Sequence, residues 1–137
     1  MNLTKTFPRS PKETLAGLVH IPRMIDKARA RNAGTLGEYI FPCPLDNIIL
    51  NFLDVTAEEF AQRAEDKEDD SLACWVEEKI RDRAVEEKQS INREILGRKP
   101  DTQEKKEKFL ELRDAIDPSR TDIQTWVDLI DLEEGRL

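Results

Sequence analysis

Apolar residues in this chain recur every three or four positions, with charged residues filling the intervals. That spacing predicts helices, because side chains three and four apart share one helical face. Leu45, Ile48, Ile49, Phe52 and Leu53 fit a helical stripe without a gap, and Cys43-Pro44 marks its start. Ala57, Phe60, Ala61 and Ala64 form a second stripe behind a capping box of Thr56 and Glu59. Leu72, Trp75, Val76 and Ile80 form a third, after the acidic link "EDKEDD", whose last aspartates or Ser71 offer a cap. From Arg81 to Ser90 the apolar signal thins. A break into two helices is favoured there over one long helix to Leu96. Asp101 and Glu104 open a helix carrying Phe109, Leu112 and Ile116. Thr121 and Gln124 cap a last one, with Ile123, Trp126, Val127 and Ile130 inward.

At the N-terminal end, "SPKE" places Ser10 as N-cap, Pro11 at the first helical position and Glu13 three residues on. Leu15, Leu18, Ile25 and Ala28 continue the stripe. Pro22 interrupts it, so the segment is either one kinked helix or two that meet near His20. Gly34 is a stop. Tyr39-Ile40-Phe41 is the one stretch that suggests a strand, and it is too short to build a sheet. The pattern predicts an all-α fold: a single compact domain over residues 1–137, made of six or seven short helices.

Composition adds that the outer faces are highly charged. Of the 137 residues, 38% are apolar and 37% charged. No run approaches the roughly 20 apolar residues of a membrane span. The start, "MNLTKTFPRSPKET", lacks the apolar core of a secretory signal, so a cytoplasmic protein that does not engage membranes is expected. Cys43 and Cys74 are too few for a disulfide scaffold, and His20 alone does not make a multi-histidine metal centre. Phosphate loops and zinc spacings are absent. No metal and no cofactor is therefore expected. The net charge of −7 is divided unevenly, with residues 1–53 at +3 and residues 54–137 at −10. Such an acidic chain is not drawn to nucleic acid.

Candidate chemistry gathers in "GTLGEYIFPCPLD", residues 34–46. Glycines and prolines account for a stiff turn between two helices. They do not account for Glu38, Tyr39 and Cys43. Cys43 precedes a helix, where the macrodipole favours thiolate, and His20 is the only histidine that a cysteine nucleophile has available as base. Glu38 and Asp46 flank the loop as a carboxylate pair, although Asp46 also suits the first turn of a helix. Arg23, Lys27 and Arg31 lie at i, i+4 and i+8 on one helical face. They suit either an anionic ligand or acidic groups later in the chain. Asp128, Asp131, Glu133 and Glu134 end the last helix against its dipole and call for a cationic neighbour, with Arg136 or the basic helix nearest.

"PRSP", "RMIDKARA", "GEY", "CPLD" and the closing "WVDLIDLEEGR" occur together and in this order. From Leu3 to Arg136 the chain resembles a bacterial family known as domain of unknown function 5069, with residues 63–100 matching loosely. The resemblance implies one compact cytoplasmic domain and carries over no catalytic residue. The combined expectation is a non-enzymatic module that binds a small anionic ligand or a protein partner near residues 23–46. The ligand-binding candidates are Arg23, Lys27, Arg31, Glu38, Tyr39, Cys43 and Asp46. Two alternatives stand beside it: an enzyme using Cys43, with His20, or the Glu38/Asp46 pair, and a structural helical adaptor.

Overall fold

The computed structural model describes residues 1–137. Seven helices form the domain: α1 (Ile21–Asn32), α2 (Pro44–Leu53), α3 (Ala57–Asp66), α4 (Asp69–Lys79), α5 (Val85–Gly97), α6 (Gln103–Ile116) and α7 (Trp126–Glu133). The break after Lys79 is real, and α4 and α5 are separate helices. None of the helices is long and apolar enough to cross a membrane.

Residues 10–20 depart from the expected helix. Ser10 and Glu13 do make contacts of a capping box: the Ser10 N–H donates to Glu13 Oε2 at 3.2 Å, and the Glu13 N–H to the Ser10 carbonyl at 3.1 Å. The chain then turns into a two-residue hairpin of β1 (Thr14–Leu15) and β2 (Leu18–Val19), with Leu15 opposite Leu18. Its central residues, Ala16 (φ 54°) and Gly17 (φ 78°), are both left-handed, as a tight hairpin turn requires. Asn92 of α5 completes it: its side chain accepts from the Val19 N–H at 3.0 Å and donates to the Gly17 carbonyl at 2.9 Å. A partner 73 residues away thus overrides the local helix signal. Tyr39-Ile40-Phe41 forms no strand.

Two caps also shift. α6 is capped by Thr102 and α7 by Thr125, whose hydroxyls accept from the Lys105 and Asp128 N–H groups. Ile123 therefore precedes α7 instead of lying on it. Threonine at either site supplies the acceptor that the free N–H groups need.

α1 is the centre of the molecule. Met24, Ile25 and Ala28 are buried, as the stripe predicts, but so are Arg23, Asp26 and Lys27. α3 lies along α1, α2 packs on α5, and β2 rests on α5. One core joins these elements through Ile49, Leu53, Phe60, Leu72, Val76 and Ile95. A smaller cluster of Phe109, Ile123, Leu129 and Leu132 joins α6 to α7. α7 packs on α6 and α5, and it reaches α1 through charged side chains at its end.

Phe60 lies between the rings of Phe41 (6.0 Å) and Trp75 (6.1 Å) and is almost fully buried. Phe60→Ala is expected to cost about 3–5 kcal/mol of a total near 5–15 kcal/mol. Urea unfolding measures this, and an unchanged midpoint would contradict the placement of Phe60 at the centre of the core.

Candidate functional site

The loop between α1 and α2 separates two polar clusters. The first is buried. Asp46, in the first turn of α2, receives the Cys43 backbone N–H at 2.9 Å, Lys27 Nζ at 2.7 Å and His20 Nε2 at 2.6 Å. Lys27 also donates to the Ile40 carbonyl at 3.0 Å and to Cys43 Sγ at 3.4 Å. His20 caps α1 in a left-handed conformation (φ 75°), a strained backbone for a non-glycine residue, and the bond to Asp46 fixes its ring. The sequence candidates His20, Lys27, Cys43 and Asp46 therefore meet in one place.

The geometry also bears on protonation. A carboxylate only accepts, so His20 Nε2 donates to Asp46, while Nδ1 has no partner. Burial holds the His20 pKa down, with help from the charges of Lys27 and Arg23, against the pull of Asp46. Burial would raise Asp46, but His20, Lys27 and the Cys43 N–H outweigh it and hold its carboxyl at about 2. For Cys43, burial and then Asp46 push the thiol pKa up, against Lys27. This direction runs against the dipole-based expectation of an activated thiolate, with loss of solvent as its largest cause. His20, Cys43 and Asp46 offer donor atoms within 4.8 Å of one another. The Lys27 ammonium supplies the positive charge among them, so the donors form a balanced network without an ion.

The second cluster ties the chain ends together. Arg23 forms a two-pronged pair with Glu134 at 2.9 and 2.8 Å, and Tyr39 donates to Glu134 at 2.9 Å. Arg136 reaches Glu134 at 2.6 Å, Asp131 at 3.1 Å and the Pro8 carbonyl. Ser10 donates to buried Asp131 at 2.9 Å, and Lys12 pairs with Asp128 at 2.6 Å. The expected cationic neighbour of the acidic end is thus both Arg136 and the basic helix. Partial burial and the Glu134 bond push the Tyr39 hydroxyl up to about 12. Against burial, Arg23, Arg136 and Tyr39 hold Glu134 below its usual range.

Two clefts flank this region. A cleft of about 640 Å³ is lined by Leu3, Phe7, Arg23, Glu38, Tyr39 and Glu133, among others. A narrower one of about 340 Å³ is lined by Cys43, Pro44, Leu45, Arg98, Lys105, Trp126 and Ile130. Glu38 and Asp46 do not share a space: Asp46 is fully buried, while Glu38 lines the larger cleft. Arg23, Lys27 and Arg31 likewise diverge, Arg31 facing Glu58 of α3 at 3.5 Å. Arg98 and Lys105 had escaped sequence reasoning, since charged residues at helix ends give no signal of a shared surface, and Glu133 had been read only as part of the acidic end of the last helix.

A family model described as "Domain of unknown function (DUF5069)" matches residues 5–136. The chain belongs to this family. No curated protein matches it. The family's span takes in both ends of the ionic network, from Pro8 to Arg136.

The pKa shifts set a pH dependence. His20 is depressed in the folded state, so its contribution is present above about pH 6.5 and falls as pH drops below that value. Asp46, also depressed, contributes above about pH 4 and is lost toward pH 2, on the order of 2 kcal/mol. His20→Gln is expected to remove the first limb and Asp46→Asn the second, read as urea midpoints from pH 8 to 2.5. A flat wild-type profile between pH 8 and 5 would refute the neutral buried histidine. Cys43 is also expected to alkylate more slowly than exposed Cys74 at pH 7–8 in single-cysteine variants. A faster Cys43 would restore it as a nucleophile.

Proposed function

We propose that the protein is a binding module with no reaction of its own, and that the Glu38–Glu133 cleft receives a cationic, partly apolar segment of a partner protein. One observation carries this reading. Glu38 and Glu133 line the cleft without an ion pair or a hydrogen bond inside the chain, and the cleft's one cation, Arg23, is committed to Glu134. Partial burial and the charge of Glu134 hold the Glu133 pKa above the ordinary carboxylate range. An incoming lysine or arginine relieves that repulsion.

Phe7, which is 53% exposed, lines the same cleft, and Ile40, 68% exposed, follows Tyr39 in the loop. Exposed apolar side chains around unpaired charges suit a peptide that carries both kinds of residue. The anionic ligand suggested by the Arg23, Lys27 and Arg31 stripe finds less support, because Arg23 and Lys27 are already neutralised by buried carboxylates. Nucleic acid is disfavoured by the same acidic lining. The bacterial and cytoplasmic setting expected from the sequence belongs to this reading, and two free cysteines accord with a reducing compartment.

The catalytic alternative is the weaker one. His20 and Asp46 are sealed from solvent, and a substrate at Cys43 would meet a thiol made less acidic by burial.

Fluorescence polarisation with a labelled peptide of alternating arginine and leucine tests the proposal. Binding is expected to weaken with salt, and Glu38→Gln with Glu133→Gln to weaken it about tenfold or more. Neither side chain makes an ion pair or hydrogen bond within the chain, so the thermal midpoint should hold. Equal binding of a glutamate–leucine peptide, or an unaffected double variant, would defeat it.

A further inference from the structure

The narrower cleft differs from the rest of the surface in charge. The chain carries a net charge of −7, yet every charged residue lining this cleft is positive. Arg98 follows α5 and Lys105 stands in the first turn of α6, so two separate elements bring their cations to one rim. Neither is firmly engaged. Arg98 lies 3.7 Å from Glu94 and Lys105 lies 3.3 Å from Asp101, both exposed carboxylates four residues away in the chain. Such pairs contribute little, so an incoming anion replaces them at small cost.

Below the rim the walls are apolar. Trp126 and Ile130 of α7 face Pro44 and Leu45 at the start of α2. Trp126 is held in place on two sides: its N–H donates to the Arg98 carbonyl at 3.0 Å and Phe109 packs edge-to-face on its ring at 5.1 Å. Cys43 contributes its half-buried thiol as part of the wall. At about 340 Å³ the space lies at the lower end of small-molecule sites.

From this combination we infer that the cleft between α2, α6 and α7 binds a small organic carboxylate with an apolar body, its carboxylate held by Arg98 and Lys105 and its body against Trp126 and Ile130. The guanidinium offers two parallel donors to a carboxylate, and the indole face offers an apolar surface for an acyl or aromatic group. The site is separate from the acidic cleft proposed for a partner, and Ile130 is the only residue that lines both.

Phenylacetate is a suitable probe, with phenylacetamide and phenethylamine as its neutral and cationic counterparts. In ¹H–¹⁵N spectra of the whole chain, phenylacetate is expected to shift the amides of Cys43, Leu45 and Ile130 and the indole N–H of Trp126, saturably. Phenylacetamide is expected to bind at least about tenfold more weakly, and phenethylamine not to shift these signals. Arg98→Glu with Lys105→Glu should reduce phenylacetate affinity at least about tenfold while the remaining spectrum keeps its folded dispersion. Phenylacetate should also slow alkylation of Cys43 and leave Cys74 unchanged. The inference is overturned by an absence of saturable shifts up to about 10 mM, by equal binding of acid and amide, or by unaltered affinity in the charge-reversed variant. None of these results bears on the arginine–leucine peptide.

Discussion

α1 carries three charged side chains into the interior, and the rest of the fold is arranged to meet them. Arg23, Asp26 and Lys27 lie where water does not solvate them, so each needs a counter-charge from elsewhere in the chain. Asp26 receives Arg9 from the N-terminal segment at 2.8–3.1 Å. Lys27 receives Asp46 from α2, and Arg23 receives Glu134 from the end of α7. The three pairs fix three different segments around one helix. Removing one partner leaves an uncompensated buried charge, which typically costs about 3–5 kcal/mol. The geometry of the loop at residues 33–43 follows from two of these pairs, since Lys27 also holds the Ile40 carbonyl and Glu134 also holds Tyr39.

This arrangement explains which parts of the structure were legible in the sequence. The helices α2 and α3 were readable to the residue at their starts, because their caps and stripes are local and agree with one another. The opposition between a basic first third and an acidic remainder was legible as charge and became pairing: Arg23, Arg29 and Lys12 all find acids later in the chain. The hairpin was not legible as such. Its capping-box residues are present, but Ser10 spends its hydroxyl on Asp131 and the strand leans on Asn92, and both partners lie far off in sequence. Only Gly17 hints at a turn in the sequence there, beside a proline and a capping box that point to a helix.

The candidate site was readable in its residues and not in its grouping. Glu38, Tyr39 and Cys43 sit in one short loop, yet they face different surroundings: Glu38 the larger cleft, Tyr39 the Arg23–Glu134 pair, Cys43 the narrower cleft. His20 and Cys43 do meet through Asp46, with His20 and Asp46 sealed from solvent and Cys43 at the edge of the narrower cleft. Periodicity predicts which face of a helix is inward. It is silent on which two ends of different helices border the same opening, and for that reason Arg98 and Lys105 emerge only in three dimensions.

The pairing of Arg23 with Glu134 spans 111 positions. A chain made from its N-terminus at about 5–20 residues per second therefore holds α1 for on the order of ten seconds before its counter-charge exists. Over that interval Lys27 has Asp46 and Arg9 has Asp26 within reach, whereas Arg23 and Ser10 still lack Glu134 and Asp131. The order of synthesis thus divides the domain in time. An early half can collapse around α1, α2 and α3, and a late closure occurs when α7 brings Asp131, Glu134 and Arg136 to the waiting N-terminal segment.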